Sequence, residues 1–344
     1  MMRIAPETLA RFAHEVLLNA GTTDGQAAAT VRAMMHATLH GIDSHGVRLL
    51  GYYVDSIAKG YVKPDPQVSV SKPRKAAVLV DAGGGLGHFA TYLAVEEACA
   101  IASEYGIGMA GVKNSTHFGA AGAYTIAAAE AGYVALAACN SGALVVLHDG
   151  RHPFHGTNPL SFAAPLRGRD PFLLDMATSA IAWNRVKRYQ ENGGELAAQA
   201  ALDQSGQYTS AAAAAVALAP LGGKLFGYKG AGLAGMAEVL GAMLTGMNLS
   251  FEEEGRGLGP SRLGHFLAVI DPAAFIPREE FENRLETYLQ AVAQQSVDGR
   301  RIYAAGGPEW EARNERMKHG IPLDSGLLNE LSAVGARVNV AFPQ

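Results

Sequence analysis

Apolar and polar positions alternate with the period of a helix in the first part of the chain. One apolar stripe runs from Leu9 to Leu17 and a second from Ala27 to Leu39, and GTTD at residues 21–24 supplies a stop and an N-cap between them. A third stripe runs from Leu49 to Ile57 and is followed by two prolines. The pattern predicts three helices before residue 60.

From Ala76 onward, apolar runs of strand length alternate with helical stretches. The strand-like runs are AAVLVD, IGMAGVKN, YVALAACN, LSFAAPL, FLLDMA and HFLAVID, and the helical stretches are HFATYLAVEEACAIASEYG, AGAYTIAAAEAG and GLAGMAEVLGAMLTG. The last helix is largely apolar, which favours a buried position. The alternation predicts a layered α/β domain with a substantial sheet.

The pattern divides the chain into two parts. After Pro277 the chain becomes charged and helical again, and we expect this segment to pack against the N-terminal helices. We therefore predict a discontinuous helical lobe of residues 1–74 and 278–344, and an α/β cofactor- and substrate-binding domain of residues 75–277. The alanine-rich run 211–219 is compatible with a linker, a helix or a mobile flap.

Charge and composition narrow the function classes. The net charge of the 344 residues is −4, which gives no basic surface for nucleic acid or for an anionic membrane. We see no signal peptide, and the most apolar stretch, 132–147, is too short and too polar to span a bilayer. Cys99 and Cys139 lie in apolar runs and are predicted to be buried thiols. We expect a soluble, cytoplasmic protein.

One glycine pattern is similar to a dinucleotide fingerprint. GLGHFA at residues 85–90 fits G-x-G-x-x-A between a predicted strand and a helix. The next strand ends in GVKN rather than in the acidic residue that binds a ribose, so we favour a tight packing turn. A phosphate loop of the G-x-x-x-x-G-K type also fails, because Tyr228 rather than a lysine follows Gly227.

The segment DSHGVR at residues 43–48 is the most informative. His45 precedes a glycine at a predicted helix start, and Arg48 lies three residues further on, on a similar face. A histidine can exchange the proton that accompanies hydride transfer at a carbonyl, and a guanidinium can bind a carboxylate through two hydrogen bonds. A capping histidine and a surface arginine are the alternative.

Two more candidates lie where predicted strands end. His117 is in NSTHFGAAG, a loop whose amides suit phosphate oxygens or whose small residues simply allow helix packing. Asp175 ends the strand FLLDMA, and a buried carboxylate needs a partner. We predict that Asp175 fixes the tautomer of His45, with a helix N-cap as its alternative role.

Several other polar residues carry weaker signals. His148, His152 and His155 have metal-like spacing, but only Asp149 joins them, and we predict no metal site. Lys229, near a predicted helix start, favours an anionic neighbour such as a cofactor phosphate. Thr157 lies in a turn, where its hydroxyl can contact substrate or its own backbone.

Taken together, these segments resemble the type-2 malate/L-lactate dehydrogenase family. The motifs in that family's order are DSHGVR, NSTHFGAAGAY, ACNS, HGTNPLSFAAP, LLDMATSAIAWNRV, GYKGAGLAG and GGPEWEARNERMKHGIPLD. The resemblance covers essentially the whole chain. It implies a mixed-sheet α/β fold that is not a Rossmann fold, and a homodimer or higher oligomer with the nicotinamide site near a subunit interface.

The resemblance also implies a role for each matched residue. His45 matches the proton donor, with Ser44 and Asp175 as its relay partners, and Arg48 and Thr157 match substrate contacts. His117 matches the cofactor loop and is the acid/base itself in some members. The matched cofactor contacts are His117, Phe118, Gly119, Ala120, Ala121, Ser141, Asp175, Met176, Ala177, Tyr228, Lys229, Ala305, Gly306 and Gly307.

We therefore expect an oxidoreductase that uses NAD or NADP and transfers a hydride to or from C2 of a small 2-oxo or 2-hydroxy acid. A reductase of a cyclic 2-imino acid, Δ1-piperideine-2-carboxylate or Δ1-pyrroline-2-carboxylate, is the second interpretation. A metal-dependent hydrolase that uses the many histidines is an alternative of a different class. The segment AIAWN at 180–184 is particular to this chain and leaves the substrate and the choice of NAD or NADP open.

Overall fold

The computed structural model describes residues 2–253 and 262–343. The strands in these ranges are β1 (Met2–Ile4), β2 (Ser69–Arg74), β3 (Ala77–Asp81), β4 (Ile107–Ser115), β5 (Val134–Cys139), β6 (Val145–Val146), β7 (Pro153–His155), β8 (Leu160–Ala164), β9 (Phe172–Met176), β10 (Ala201–Leu202), β11 (Tyr208–Thr209), β12 (Ala217–Leu218), β13 (Leu263–Ile270) and β14 (Ile321–Leu323). The helices are α1 (Pro6–Asn19), α2 (Asp24–Leu39), α3 (Leu50–Ala58), α4 (Gly87–Tyr105), α5 (Gly122–Glu130), α6 (Trp183–Asn192), α7 (Gly223–Ala237), α8 (Arg278–Ala293), α9 (Gly307–His319) and α10 (Ser325–Arg337).

The main sheet has seven strands in the order β2-β3-β4-β13-β5-β8-β9. Strands β3 and β4 run parallel, and every other neighbouring pair in this sheet is antiparallel. Its core is an apolar cluster in which Val80, Val112 and Leu267 of the strands pack with residues of α4 and α5 such as Tyr124. The predicted mixed α/β fold is confirmed, and all six predicted strands lie in this sheet.

A second sheet, which the sequence did not predict, has the order β11-β10-β12-β6-β7. Its strands are two or three residues long, too short for an alternating pattern to be visible. The alanine-rich run 211–219 forms a short 3-10 turn and strand β12 in this sheet, where Ala212, Ala215 and Leu218 are buried. The run is therefore part of a packed sheet and not a linker.

The two ends of the chain meet. Strand β1 pairs antiparallel with β14, and residues of α1 and α2 share an apolar cluster with Ile321 and Leu331 from the C-terminal part. The division at residues 74 and 278 stays a prediction. Strand β2, inside the range assigned to the helical lobe, pairs with β3 of the main sheet. Helix α8 forms ion pairs with Arg167 and Arg169, in the segment between β8 and β9, through Glu282 and Glu286.

Helix α7 differs from its prediction. It begins at Gly223 and continues into a π-helical turn at Glu238–Met243. The predicted helix, residues 232–246, is buried on one side only. Ala234, Ala237 and Ala242 are fully buried, whereas Met243 and Leu244 are more than half exposed. Both cysteines are free, with Cys139 buried and Cys99 partly buried. In the described ranges, no helix is long and apolar enough to cross a membrane.

The glycines of GLGHFA at residues 85–90 serve packing. A Cβ on Gly87 would come within 2.4 Å of the Thr116 carbonyl oxygen, and one on Gly85 within 2.4 Å of Cγ of Pro66. Side chains at these positions would force the segment before β2 and the loop after β4 apart from the start of α4. The packing turn favoured from the sequence accounts for both glycines.

Candidate active site

His45 lies in a 3-10 turn, Asp43–His45, and not at a helix start. Its Nδ1 is 2.9 Å from the hydroxyl of Ser44. The next turn is fixed by Thr38, whose hydroxyl accepts from the amide of Val47 at 3.0 Å. Gly46 is required here, because a Cβ would lie 2.4 Å from that same hydroxyl. The irregular backbone around His45 is therefore held by side-chain hydrogen bonds.

The second histidine, His117, follows strand β4 and faces the first. The two imidazole rings are nearly parallel, 18° apart in plane, with centroids separated by 5.8 Å. Nδ1 of His117 is 2.9 Å from the hydroxyl of Tyr53, which is 1% exposed. Burial raises the pKa of Tyr53 well above its usual value, so the phenol stays protonated and its O–H donates a hydrogen bond to Nδ1. Neutral His117 then carries its own proton on Nε2.

Burial keeps both imidazoles neutral. It lowers the pKa of His45 to about 4, and burial together with the neighbouring His45 and His265 lowers the pKa of His117 to about 3. In the described part of the chain, no hydrogen bond reaches Nε2 of either ring. Each ring is thus anchored through Nδ1 and presents a free nitrogen.

Asp175 ends strand β9, as predicted, but it does not contact His45. Its Oδ2 accepts a hydrogen bond from the amide of Gly122, at 2.9 Å, where α5 begins. A Cβ at Gly122 would lie 2.8 Å from the same oxygen, so only glycine permits this approach. Burial raises the pKa of Asp175 to about 6. Ser44, rather than Asp175, is the hydrogen-bond partner that orients His45.

A cleft of about 290 Å³ opens beside Asp175. It lies between the end of β9 and the turn before α9, so Asp175 meets Ala305 and Gly306, which the sequence had grouped with it only by resemblance. Gly306 has a φ of +89°, and its Cβ position is 2.8 Å from the carbonyl oxygen of Leu173. The turn therefore needs glycine both for its conformation and for its contact. Gly307 starts α9, and Met176 and Ala177 continue from Asp175, both partly buried.

The loop between His117 and Gly122 joins the histidine pair to this cleft. Phe118 points into the core and stacks on Tyr124, with centroids 5.0 Å apart. Gly119 has a φ of +78°, and Ala120 and Ala121 are buried. Because these side chains face inward, only the backbone of residues 118–121 is placed to contact a ligand.

Ser141 and Thr157 are also brought together. The Ser141 hydroxyl accepts from the amide of Thr157 at 3.1 Å and lies 3.5 Å from its hydroxyl. Asn158, buried and at φ +33°, accepts from the amide of Ser141 at 3.0 Å and donates to Glu238 at 3.0 Å. Glu238, in the π-helical turn, also accepts from Ser250. Sequence reasoning missed Asn158 and Glu238, although a carboxylate in an apolar helix was a visible signal.

The remaining predicted residues lie elsewhere. Arg48 faces α10, where its guanidinium pairs with Asp324 and Glu330, each at 3.2 Å. Tyr228 and Lys229 are exposed on α7, beside His148 and Phe226 rather than beside the histidine pair. Lys229 is not at the helix start, because α7 begins six residues earlier, at Gly223. Among the described residues there is no cluster of three or more potential metal ligands.

The chain matches the family model described as malate/L-lactate dehydrogenase over residues 4–332. A malate dehydrogenase of Pyrococcus abyssi is 33% identical to it, over 98% of this chain and 96% of that protein. A Δ1-pyrroline-2-carboxylate/Δ1-piperideine-2-carboxylate reductase of Pseudomonas putida is 36% identical, over 81% and 84%. The crystal structure of a malate dehydrogenase from Entamoeba histolytica superposes with a TM-score of 0.94 at 29% identity, covering 100% of this chain and 99% of that one.

The fold and the site therefore define an oxidoreductase, and the chain belongs to the malate/L-lactate dehydrogenase family. Two further relatives are named for their cofactors, a (2R)-3-sulfolactate dehydrogenase of Chromohalobacter salexigens for NADP(+) and a ureidoglycolate dehydrogenase of Escherichia coli for NAD(+). The resemblance found in the sequence is confirmed.

Proposed function

We propose that the enzyme transfers a hydride between NAD(P) and C2 of a small 2-hydroxy or 2-oxo acid, with His45 as the acid/base. The observation that carries this proposal is the orientation of His45, whose Nδ1 is held by Ser44 and whose Nε2 is free beside the His117 loop. The malate dehydrogenases among its relatives support the substrate class.

The residues around the cleft fit a nicotinamide dinucleotide. Small residues line the way from the His117 loop to the turn before α9, and the side chains of Phe118, Ala120 and Ala121 face the core, so the backbone amides of this loop are left to contact a ligand. When bound, NAD(P) would supply or accept the hydride. The backbone of residues 118–121 and the turn at 305–307 would hold it, next to Asp175.

Whether His45 accepts or donates a proton follows from its burial. With a pKa of about 4, the imidazole is neutral at pH 7 and able to accept the proton of a hydroxyl group. If Nδ1–H donates to Ser44, the lone pair of Nε2 is available for that proton. For reduction, His45 must first be protonated, and the negative charge of a substrate carboxylate favours that form.

Arg48 is proposed to bind the substrate carboxylate. In this structure the guanidinium is engaged with Asp324 and Glu330, so substrate must exchange with one of these carboxylates. Both ion pairs are about half exposed, so breaking one of them costs little free energy. Thr157, held at Ser141, is the proposed second substrate contact.

The decisive test is turnover of His45→Ala, with the exposed His152→Ala as the control. We expect the His45 variant to lose at least about a hundredfold in kcat, as expected for a missing general acid/base, while NAD(P)H binding, followed by its fluorescence, stays unchanged. A His45 variant with normal turnover would rule the assignment out, and loss confined to His117→Ala would move the role to His117.

Reduction of a cyclic 2-imino acid is the second candidate, supported by the 36% identity to the reductase from Pseudomonas putida. Oxidation of NADH and of NADPH should be followed with pyruvate, oxaloacetate, Δ1-piperideine-2-carboxylate and Δ1-pyrroline-2-carboxylate. The ratio of kcat/KM values identifies the substrate class and the preferred cofactor together.

We further propose that the dinucleotide is bound without a Rossmann unit and that the helices of both chain ends form one lobe. The single parallel pair of the main sheet, β3 and β4, and the packing role of Gly85 and Gly87 support the first point. The shared cluster of α1, α2 and the C-terminal residues supports the second. The free cysteines are compatible with a cytoplasmic location.

A homodimer is proposed from the surface of α7. Leu225 is 68% exposed and Leu244, just past the π-helical turn, 63% exposed, and an apolar face of this kind marks a contact surface. Light scattering should give about twice the chain mass of 36.0 kDa. Leu225→Glu should shift the protein to the monomer, and a monomeric wild type would refute the proposal.

A further inference from the structure

We propose that Asn184 is a positioning residue of this enzyme, which holds the Ser44–His45 peptide from helix α6 and so sets the direction of the His45 ring. The inference rests on the proposed role of His45 as acid/base. It concerns a residue of the segment AIAWN at 180–184, to which the sequence analysis assigned no role.

The contact joins two parts of the chain that are 140 residues apart. Nδ2 of Asn184 donates to the carbonyl oxygen of Ser44 at 2.9 Å. The hydroxyl of the same serine is 2.9 Å from Nδ1 of His45. One residue, Ser44, is thus held by its backbone and in turn holds the imidazole by its side chain. A rotation of the Ser44 peptide would move both the carbonyl oxygen and the hydroxyl of Ser44.

The other supports of this turn act on its neighbours and leave this carbonyl to Asn184. Arg316 of α9 pairs with the carboxylate of Asp43 through both terminal nitrogens, at 3.2 Å for Nη2 to Oδ2. Thr38 holds the amide of Val47. These contacts fix the segment before and after the Ser44–His45 peptide. The peptide itself is held on its N–H side by the carbonyl oxygen of Ile42, at 3.0 Å from the amide of His45, and on its C=O side by Asn184.

Asn184 is itself fixed by the second sheet. It lies in the first turn of α6, next to Trp183 and two residues before Val186. Val186 is fully buried in a cluster with Leu144, and Trp183 packs against this cluster. The amide therefore comes from a packed element and not from a free surface side chain. A shift of α6 relative to the histidine pair is therefore transmitted to Ser44 by this hydrogen bond.

The same helix offers a matched control. Nε2 of Gln190 donates to the carbonyl oxygen of Ala212 at 2.9 Å, which is the same kind of bond at nearly the same length, but it stays inside the lobe of the second sheet. Gln190→Ala removes a side-chain amide from α6 without touching the His45 turn. Asn184→Ala removes the bond to Ser44. Asn184→Asp replaces the donor by a carboxylate that faces the carbonyl oxygen.

The experiment measures kcat, KM and the solvent deuterium isotope effect on kcat, with NADPH or NADH and the best substrate of the panel above. We expect Asn184→Ala and Asn184→Asp to lower kcat about tenfold, because misplacement of an acid/base by part of an ångström has effects of this size. KM should change less than about twofold, since substrate binding does not depend on proton transfer. The isotope effect should rise, because proton transfer becomes slower.

Two outcomes would overturn the inference. One is a wild-type kcat and isotope effect in Asn184→Ala, and the other is an equal loss in Gln190→Ala, which would show that α6 acts only through stability. Asn184→Gln keeps the amide one methylene further out and should recover part of kcat; no recovery in a variant with wild-type melting temperature counts against the bond. His45→Ala separates the two hypotheses: if it remains active, the proposed function fails, whereas a dead His45 variant with unaffected Asn184 variants defeats the positioning role alone.

Discussion

Buried histidines should make this protein unstable in acid, and His265 allows the effect to be isolated. Its ring is fully buried between the hydroxyl of Thr91, at 2.8 Å from Nδ1, and the carbonyl oxygen of Thr116, at 3.2 Å from Nε2. Burial lowers the pKa of His265 from 6.5 to about 3. The unfolded chain therefore binds a proton between these two values that the folded protein does not bind, and the free energy of unfolding falls as the pH is lowered from 6.5.

The size of the effect follows from these two pKa values. At pH 5 the unfolded state is favoured, relative to pH 8, by about 2 kcal/mol through His265 alone. His45 and His117, with pKa values of about 4 and 3, contribute in the same direction and by a similar amount. Asp175 opposes them by about 1 kcal/mol, because its raised pKa of about 6 makes the folded state bind the proton first.

The assay is urea unfolding at pH 8 and pH 5 of the wild type, of His265→Gln and of the exposed His152→Gln as control. The difference in unfolding free energy between the two pH values should be about 2 kcal/mol smaller in His265→Gln than in the wild type, even if that variant is less stable at both. The control should keep the wild-type difference. An identical pH dependence in all three proteins would refute the reasoning.

Three further variants test contacts of the site. Tyr53→Phe removes the shorter of the two hydrogen bonds to Nδ1 of His117 and leaves only that from the amide of Gly119, at 3.4 Å. It should cost about 1 kcal/mol of stability in the same urea assay at pH 8, and a variant as stable as the wild type would contradict the bond. Glu238→Gln turns an amide donor toward Ser250, so the loop of Thr157 should loosen and KM for the acid should rise, as initial rates will show. Glu330→Gln frees Arg48 from one carboxylate and should lower KM about two- to fivefold at low salt with kcat unchanged, whereas a raised KM would mean that the pair supports binding.

The sequence could predict the elements in which the pattern of apolar and polar residues repeats over a whole strand or helix. Strand β13 is the clearest, because LGHFLAVI alternates between the core and the intermediate surface along its second half. Strands β6, β10 and β12 have two residues each, and no pattern of period two can be seen in such a length. The sequence pattern therefore could not predict the second sheet.

The sequence predicted the residues of the candidate site that have a reactive side chain in a recognisable motif, but not the contacts between them. His45 and His117 were found by their neighbours in sequence, and the structure places their rings face to face. Tyr53 was assigned to an apolar helical stripe, since nothing in the sequence tells a buried phenol with a partner from one without. Arg48 was expected to face the substrate, but Gly46 between the two 3-10 turns is extended, with φ −86° and ψ −153°. The helical spacing that would place His45 and Arg48 on one face is therefore interrupted.

The pairing of β1 with β14 has a consequence for biosynthesis. Met2 to Ile4 leave the ribosome long before their partner strand, which ends at Leu323, and the helix that Asp324 caps and that carries Glu330 follows still later. The apolar core that α1 and α2 share with the C-terminal residues therefore stays incomplete while most of the polypeptide is made. Nascent chains arrested before residue 320 should be captured by chaperones through α1 and α2, and release should coincide with emergence of the last strand.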